Sequence, residues 1–543
     1  MRHLTAAQVA ARTRLMLLRR WRRTRGTRLR IGTAAAAAAA HQPLWQGIDA
    51  ARAHSEAAPR LERARDIAAG RFELIGTTFT YDGALPDWTE PRASALWRYH
   101  LNYFDYVLDL ALAGDFETFR RLAESWLREN GRIAGDAWHP YTVSLRVVNW
   151  CHALSAFAFD GAEEFRATLA AATAAQAQFV YENLEVDVRG NHLLENLRAL
   201  VWAGIVFGND RWLGRGLRML EAEVAEQVLG DGCHFERVPG YHLVVLRDLF
   251  EIRTLLARNR TVPPWLDDAV RRMSAFLVTI TGPADRLPLF KDTTRNDDFA
   301  PSDFLRADGW YSALCATTVD APPAADDGLI FGASGYAIVR DARHLLVADY
   351  GIPCPDYLPA HAHADLFSFE LTRDGAPLIV DSGVFAYQGE WRPWFRSTAA
   401  HNTVEVADEN QSEVWGSFRV ARRAKPERVQ TVSAARVHVI QGEHRGYARL
   451  TPAVTHRRTI LWCDGALVIV DELFGDGRTR AKSRVHLHPA IGAGAVEVAP
   501  FGSVAATRER GWYSERFGSK TENDVLVFAA GGALPLVFGY CVA

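Results

Sequence analysis

The chain has 543 residues, of which 48% are hydrophobic and 23% are charged. This length predicts two or three domains, each large enough to bury its own core. The 62 basic residues nearly balance the 64 acidic ones, which argues against a dedicated nucleic-acid-binding protein. Ten arginines and no acidic residue lie within 1–30, so we expect a basic N-terminal extension. Lysine is rare, with only four residues, Lys291, Lys425, Lys482 and Lys520.

Six scattered cysteines without a Cys-x-x-Cys pair argue against a disulfide scaffold and against a cysteine-rich zinc site. No apolar run approaches the length of a membrane-spanning helix, so we expect no membrane span. The apolar run Leu15–Leu18 is short and is followed by arginines, so it predicts no clear signal peptide.

The segment from about 45 to 320 is typical of a helical domain. Apolar residues recur there at the 3.6-residue spacing of an amphipathic helix, for example at Leu193, Leu197, Leu200, Val201 and Ile205. The same spacing predicts helices over Tyr99–Ala113, Phe116–Leu127, Val143–Phe157, Phe165–Tyr181, Arg211–Leu229, Tyr241–Ala257 and Asp267–Thr281. We expect eight or more helices of 12–18 residues, stacked as helical hairpins.

After Ala321–Asp327 the pattern changes to short alternating or β-branched runs. They lie at Tyr336–Val339, His344–Ala348, Leu366–Leu371, Leu378–Val380, Thr403–Val406, Val437–Ile440, Val485–Leu487 and Val525–Phe528. Two further runs flank Asp464-Gly465, which is a strong hairpin signal. The sequence therefore predicts an N-terminal extension (1–44), an all-α domain (45–322) and an antiparallel β-sandwich (323–543).

Polar residues cluster at two places in the helical part. In the first cluster, His192, Glu195 and Asn196 are spaced to share one helix face, although Asn191 after a glycine is also a natural helix N-cap. The second cluster, His234–His242, places five hydrogen-bonding or proton-transferring groups on a turn that enters a helix. A structural Glu–Arg pair is the alternative there.

A third cluster lies in the predicted β domain. His361 and His363 are two residues apart, so on an extended segment they point to the same side. Asp381 ends a predicted strand, and His401 follows twenty residues later. Two histidines and one aspartate suit a three-ligand zinc site, and buried, hydrogen-bonded histidines are the alternative.

Several aromatic residues lie in the N-terminal part of the predicted helical domain, at Trp97, Tyr99, Tyr103, Tyr106, Trp138, Tyr141 and Trp150. Aromatic faces suit sugar rings, because both have an apolar body and a polar edge. Core packing is the alternative role for these residues.

Together the three clusters resemble the heparinase II/III-like polysaccharide lyases over about residues 95–420. The matching blocks are Trp138–Tyr141, Arg146, Asn149-Trp150, Asn191-His192, Glu195-Asn196, Glu236–His242, His361–Asp365, Ser368-Phe369, Asp381–Gly383 and Arg396–Thr403. The resemblance implies an N-terminal incomplete (α/α) toroid followed by a C-terminal antiparallel β-sandwich. It also implies cleavage of a uronate-containing glycan by β-elimination, which leaves a 4,5-unsaturated uronate end.

The resemblance further implies roles for individual residues. The implied catalytic residues are Asn191, His192, Tyr241 and His361. The implied substrate-binding residues are Glu195, Arg237, His242, Trp138 and Arg146. One structural zinc per chain is implied on His363, Asp381 and His401, with no organic cofactor. The resemblance also implies an acidic polysaccharide as partner and a periplasmic or secreted location, and a homodimer is compatible with the family. The absence of a clear signal peptide leaves a cytoplasmic location open.

These residue types suit β-elimination, which needs a donor against the uronate carboxylate, a base for the C5 proton and an acid for the leaving O4. One alternative is a glycoside hydrolase, which needs two carboxylates facing the substrate, and Glu195, Glu236 and Asp365 are the candidates. The other alternative is a non-catalytic glycan-binding or polysaccharide-assembly protein that keeps the fold.

Overall fold

The structure is a computed structural model. It describes residues 8, 10, 12–17, 41–83, 85–295, 299–319, 328–491 and 496–543. Most of the predicted extension over 1–44 and the predicted boundary at Ala321–Asp327 lie outside the described residues.

The chain forms two compact units, each built from segments that are not contiguous in sequence. The first unit comprises Met1–Glu226, Val245–Arg271 and Ser302–Asp320. The second unit comprises Gln227–Val244, Arg272–Pro301 and Ala321–Ala543. Two segments of the predicted helical domain therefore group with the β-strands, and Tyr241 belongs to the second unit.

The helical part contains, among the described residues, eight helices of 12 to 21 residues and several shorter ones. The helices are α1 (Ile48–Ala53), α2 (Ala57–Ala68), α3 (Ala95–Tyr103), α4 (Val107–Ala113), α5 (Phe116–Glu129), α6 (Pro140–Ala156), α7 (Glu163–Glu182), α8 (Gly190–Val206), α9 (Asp210–Gln227), α10 (Pro239–Asn259), α11 (Pro264–Ile280), α12 (Pro301–Leu305), α13 (Trp310–Cys315) and α14 (Arg392–Phe395). None of the described helices is long and apolar enough to cross a membrane.

Local sequence signals explain where several helices begin and end. Helix α5 begins after Asp115, whose carboxylate accepts a hydrogen bond from the Thr118 N–H, a typical N-cap. The single helix predicted over Tyr99–Ala113 is instead two helices, because Phe104 has a left-handed backbone with φ of 63° and ends α3.

The strands are β1 (Arg71–Leu74), β2 (Thr77–Thr80), β3 (Gly328–Phe331), β4 (Tyr336–Arg340), β5 (His344–Asp349), β6 (Phe369–Arg373), β7 (Ala376–Ile379), β8 (Val404–Val406), β9 (Val414–Trp415), β10 (Arg419–Val420), β11 (Pro426–Ala434), β12 (Val437–His444), β13 (Thr455–Cys463), β14 (Ala466–Phe474), β15 (Arg478–His486), β16 (Val498–Gly502), β17 (Val504–Arg516), β18 (Ser519–Ala533) and β19 (Leu536–Val542). Their order is β11-β12-β13-β14-β19-β16 in a six-stranded sheet, β17-β18-β15-β8 in a four-stranded sheet and β3-β4-β5-β6-β7 in a five-stranded sheet. The predicted fold class, helices followed by antiparallel sheets, is confirmed.

The hairpin predicted at Asp464-Gly465 joins β13 to β14, with Cys463 opposite Ala466. Both turn residues have positive φ, at 48° and 86°, as a two-residue turn of this kind requires. Strand β6 begins three residues later than predicted, because Phe367 has a φ of 66° and interrupts the extended backbone. The hairpin of β1 and β2 in the first unit was not predicted.

The core of the second unit lies where the three larger sheets contribute apolar side chains to one cluster. Phe369 comes from the five-stranded sheet, Ile460 and Ile469 from the six-stranded sheet, and Val485 and Phe528 from the four-stranded sheet. Burial alternates strictly along β13 and β14, as the period of two along a strand requires.

In the first unit, α8 packs closely against α9 at Gly204. A Cβ atom at this glycine would lie 2.7 Å from both the Cβ and the backbone nitrogen of Leu213. We therefore expect Gly204→Ala to lower the thermal unfolding temperature, with a cost of about 1–3 kcal/mol for overpacking. Gly214→Ala on α9 is the control, since a Cβ there meets only the mobile end of Arg218 at 3.2 Å. Equal melting temperatures for both variants would contradict the prediction.

Candidate active site

A buried carboxylate in the second unit brings together both histidines of the third cluster. Asp292 Oδ2 lies 2.9 Å from His361 Nδ1, and Asp292 Oδ1 lies 2.8 Å from His363 Nε2. Arg392 pairs with the same carboxylate through both terminal nitrogens. Burial alone would raise the pKa of Asp292, but the charge of Arg392 and the two imidazole hydrogen bonds hold it well below its usual value.

The ionised Asp292 decides which nitrogen of His361 is available for chemistry. A carboxylate can only accept hydrogen bonds, so His361 Nδ1 must bear the proton that is shared with it. The other nitrogen, Nε2, lies 3.9 Å from Glu236 Oε2. The side chain of His361 is 12% exposed, whereas that of His363 is fully buried. His361 is therefore the one of the two histidines with access to solvent.

Tyr241 lies in the first turn of α10 and is half-buried next to His361. The two rings are 4.2 Å apart between centroids. The Tyr241 hydroxyl oxygen is 2.9 Å from that of Tyr387. Burial and the charge of Asp292 raise the pKa of Tyr387, so its hydroxyl keeps a proton at neutral pH. The second unit therefore places a tyrosine and a histidine in direct contact, each held by a further polar group.

The implied zinc ligands are all buried, and the two histidines among them each have one unbonded ring nitrogen. His363 Nδ1 and His401 Nε2 are buried nitrogens without a hydrogen-bond partner in the described part of the chain, and their rings are 5.3 Å apart. Asp381 Oδ2 lies 2.8 Å from His401 Nδ1. Buried bare imidazole nitrogens suit zinc, and a carboxylate commonly orients such a histidine. Within the described ranges, however, no three His, Cys, Asp or Glu side chains converge to hold a metal ion.

The first unit contains a separate histidine site at the start of α8. His192 Nδ1 lies 3.1 Å from Glu185 Oε1, and the His192 ring packs 4.4 Å from that of Tyr141. Burial would raise the pKa of Glu185, but His192, His139 and the Asn196 amide lower it to about 2. His192 therefore has a permanently ionised carboxylate as its orienting partner, and its side chain is 31% exposed.

Asn191 occupies the first turn of α8 rather than the N-cap, which is Arg189. The capping role that the sequence left open for Asn191 is therefore excluded. The first turn of a helix has unsatisfied backbone N–H groups and a positive dipole end, which favours a negatively charged ligand.

Glu195, which was implied to bind substrate, lies buried inside the helical unit. Its side chain is 1% exposed, and Oε2 accepts a hydrogen bond from Arg198 Nη1 at 2.9 Å. Arg198 also pairs with Glu251. Burial and the charge of Asp248 raise the pKa of Glu195 to about 8. Glu195 is thus part of a buried ion-pair cluster.

The other four implied substrate-binding residues are also buried and satisfied by internal hydrogen bonds. Arg146 is fully buried and donates to Gln176 Oε1 and to the carbonyls of Asn102 and Ala137. Trp138 Nε1 donates to the Asn130 carbonyl at 2.9 Å. In the second unit, Arg237 donates to the carbonyls of Phe235 and Ser334, and His242 is bonded between the His234 N–H and the Met273 carbonyl. Each of these four side chains therefore holds backbone in place, and a substrate contact for them stays a prediction.

Sequence reasoning missed four polar groups that position the candidate residues: Asp292, Tyr387, Arg392 and Glu185. A charged residue close after an apolar residue is a weak signal. It is present for Asp292, two residues after Phe290, and for Glu185, directly after Leu184. Tyr387 and Arg392 have no comparable signal in the sequence.

Two family profiles match consecutive parts of the chain. The heparinase II/III N-terminus profile matches residues 79–311, and the heparinase II/III-like C-terminal profile matches residues 325–536. A heparin-sulfate lyase of Bacteroides stercoris is 25% identical over 352 residues, which are 60% of this chain and 48% of that protein. FtsZ-localized protein C of Caulobacter vibrioides is 24% identical over 428 residues, which are 74% of this chain and 67% of that protein.

The chain spans about half the length of the heparin-sulfate lyases it matches. Among solved structures, heparinase III superposes with a TM-score of 0.73 at 18% identity, covering 97% of this chain and 88% of that one. A chondroitin AC lyase of Streptomyces coelicolor A3 superposes with a TM-score of 0.55 at 14% identity, covering 91% and 82%. These structures show the same fold, and the two profile matches show that the chain belongs to the heparinase II/III-like family of polysaccharide lyases.

Proposed function

We propose that this protein cleaves a uronate-containing polysaccharide by β-elimination and leaves a 4,5-unsaturated uronate end. The observation that supports this most directly is the contact between Tyr241 and His361, with His361 oriented by the ionised Asp292. Two positioned groups that can each transfer a proton are what such an elimination requires.

In the proposed reaction, a base removes the C5 proton of the uronate and the C4–O4 bond breaks as the C4–C5 double bond forms. The leaving O4 takes up a proton. Tyr241 can perform both transfers in a syn elimination. For the opposite substrate epimer a histidine takes the C5 proton, and Tyr241 protonates O4. Each positioned group contributes roughly 10²–10⁴-fold in rate.

The developing negative charge on the uronate needs a donor against its carboxylate. Asn191 supplies an amide N–H at the positive end of α8, and His192 next to it is held by Glu185. One well-placed donor to a developing anion stabilises the transition state by roughly 3–4 kcal/mol. This position in the first turn of α8, together with the family resemblance, supports Asn191 as the carboxylate neutraliser in the proposal.

The glycoside hydrolase alternative loses support. That reaction needs two carboxylates that reach the sugar. The candidates Glu195, Glu236 and Asp365 are only 1%, 2% and 1% exposed.

A second candidate function is that of a glycan-binding or polysaccharide-assembly protein that keeps the fold without cleaving. The observation that favours it is that the chain is 24% identical to FtsZ-localized protein C, the same level of identity as the 24–25% to the heparin-sulfate lyases. Absorbance of unsaturated products near the ultraviolet edge separates the two candidates. The substrates to screen are heparan sulfate, alginate, hyaluronan and bacterial exopolysaccharides.

Tyr241→Phe removes one hydroxyl group and little volume. On a cleaved polymer we expect turnover to fall at least roughly 10²-fold while the melting temperature stays near that of the native protein. Tyr181→Phe is the matched control, because Tyr181 bonds to Arg211 on the surface of the helical unit. Near-normal turnover of Tyr241→Phe would make Tyr241 a structural residue.

Asn191→Ala tests the carboxylate neutraliser. We expect turnover to fall much more than the Michaelis constant rises, because the contact strengthens as charge moves into the carboxylate. A methyl-esterified substrate lacks that charge and should depend far less on Asn191. Equal losses on ester and free acid would exclude this role.

We also propose that His363, Asp381 and His401 hold one structural zinc ion. The buried nitrogens of His363 and His401 without hydrogen-bond partners support this. When bound, zinc supplies a fixed crosslink rather than a reaction step. His363 shares Asp292 with His361, so a fixed His363 also keeps the orienting carboxylate of His361 in place.

Elemental analysis of the purified protein should give about one zinc per chain. His401→Gln should lower both the metal content and the melting temperature, because two protein ligands hold zinc poorly. His344→Gln is the control, since His344 pairs with Asp341 at the start of β5. Full zinc occupancy in His401→Gln would remove His401 from the proposed site.

A further inference from the structure

Lys520 differs from the other three lysines of the chain. Those three each pair with an aspartate: Lys291 with Asp349, Lys425 with Asp356 and Lys482 with Asp408. Lys520 makes no ion pair with any carboxylate among the residues that the structure describes. It therefore presents a positive charge without a protein counter-ion.

The ammonium group of Lys520 lies between two indole rings. Its Nζ atom is 3.6 Å from the ring centroid of Trp512 and 4.1 Å from that of Trp391. The two indoles meet edge to face, with centroids 5.3 Å apart and an interplanar angle of 71°. All three side chains are half-buried, so they are fixed by their neighbours yet still reach solvent. Cation–π attraction holds the ammonium in this position.

We propose that Lys520, Trp391 and Trp512 form a binding subsite for an acidic sugar of the polysaccharide. The ammonium pairs with an anionic group of the sugar, a carboxylate or a sulfate ester. The parts of the indole rings that the ammonium leaves uncovered pack against the apolar face of the sugar ring. This inference rests on the proposed lyase function and names the chemistry by which that function selects its substrate.

The subsite is connected to the candidate catalytic pair by direct side-chain contacts within the second unit. Phe517, at the tip of the β17–β18 hairpin, packs 4.7 Å from the ring of Tyr387. The hydroxyl of Tyr387 in turn lies 2.9 Å from that of Tyr241. On the other side, Trp391 directly precedes Arg392, which pairs with Asp292. A glycan that reaches Tyr241 can therefore extend onto these rings.

The hairpin that contributes Trp512 and Lys520 is held rigidly. The Ser514 N–H donates to the Ser382 carbonyl, and the Gly518 N–H donates to the Phe385 carbonyl, each at 2.9 Å. A site whose side chains are fixed before the ligand arrives loses less conformational entropy on binding. The hairpin is thus suited to binding as well as to packing.

The test is calorimetric titration of acidic oligosaccharides into the full chain, in the Tyr241→Phe background so that cleavage of the ligand is slow during the titration. The probes are hexasaccharides of hyaluronan, with carboxylates only, and of chondroitin 4-sulfate, with both groups. Lys520→Gln should weaken binding about tenfold, the loss expected for one charge-assisted contact, and Lys520→Arg should restore most of it. Trp512→Phe should weaken binding as well.

Lys482→Gln is the matched control, because it removes one exposed lysine charge from the same four-stranded sheet. It should leave binding unchanged. Equal weakening by Lys482→Gln and Lys520→Gln would mean that only net charge matters, and this overturns the subsite. A lower melting temperature of Lys520→Gln with unchanged affinity would make the cluster purely structural and also overturns it. Absence of binding to both probes and to heparan sulfate and alginate counts against the subsite too.

The two probes separate the sources of the anion. Weaker hyaluronan binding by Lys520→Gln identifies a carboxylate, and an effect confined to chondroitin 4-sulfate identifies a sulfate ester.

The subsite and the proposed lyase function can fail independently. If the native protein produces no ultraviolet-absorbing ends but Lys520→Gln binds more weakly, the subsite stands and the lyase function fails. If the native protein cleaves and Lys520→Gln has the native Michaelis constant and affinity, the lyase function stands and the subsite fails.

Discussion

In the second unit, the candidate catalytic residues are organised around one buried charge, the carboxylate of Asp292. Its two oxygens bind His361 and His363, which lie 69 and 71 residues further along the chain. Arg392, 100 residues away, neutralises it. A buried carboxylate is very costly without such partners, so the three segments must come together for any of them to be stable there. The orientation of His361 is therefore fixed by the fold itself.

A second buried pair fixes the loops on which these histidines lie. Arg458 and Asp471 form a two-pronged pair inside the six-stranded sheet, with both nitrogen–oxygen distances at 2.8 Å. The remaining N–H groups of Arg458 reach the carbonyls of Phe367 and Asn402, which follow the His361–Asp365 block and His401. The candidate site is thus supported by regular sheet structure rather than by its own loops, which favours precise positioning.

Arg146 and Lys520 show how burial separates a structural cation from one that is available to a ligand. Both are cations next to tryptophan rings, with Arg146 3.9 Å above Trp126 and Lys520 3.6 Å from Trp512. Arg146 is fully buried and three backbone or side-chain oxygens accept its hydrogen bonds. Lys520 reaches solvent and has no carboxylate partner among the described residues. Both side chains carry a positive charge beside indole rings, and they differ in burial and in hydrogen-bond partners.

The sequence by itself determined the class of each half of the chain, because helix and strand periodicities are local properties. The turn at Asp464-Gly465 and the helix stripe through Leu193 and Leu197 were predictable for this reason. It also placed His361 and His363 on one side, since two residues of an extended segment share a face.

Only the tertiary structure decided which partners these residues have. Asp292 forms a hydrogen bond with His361, and Tyr387 forms one with Tyr241, 146 residues away in the sequence. Contacts over such separations produce no periodic pattern in the sequence. Nor could the sequence show that Glu195, Arg146 and His242 are buried. Arginine, histidine and glutamate side chains can either bind a substrate or form hydrogen bonds inside a protein core. Which of these roles a side chain has depends on whether it remains accessible to solvent after the chain has packed.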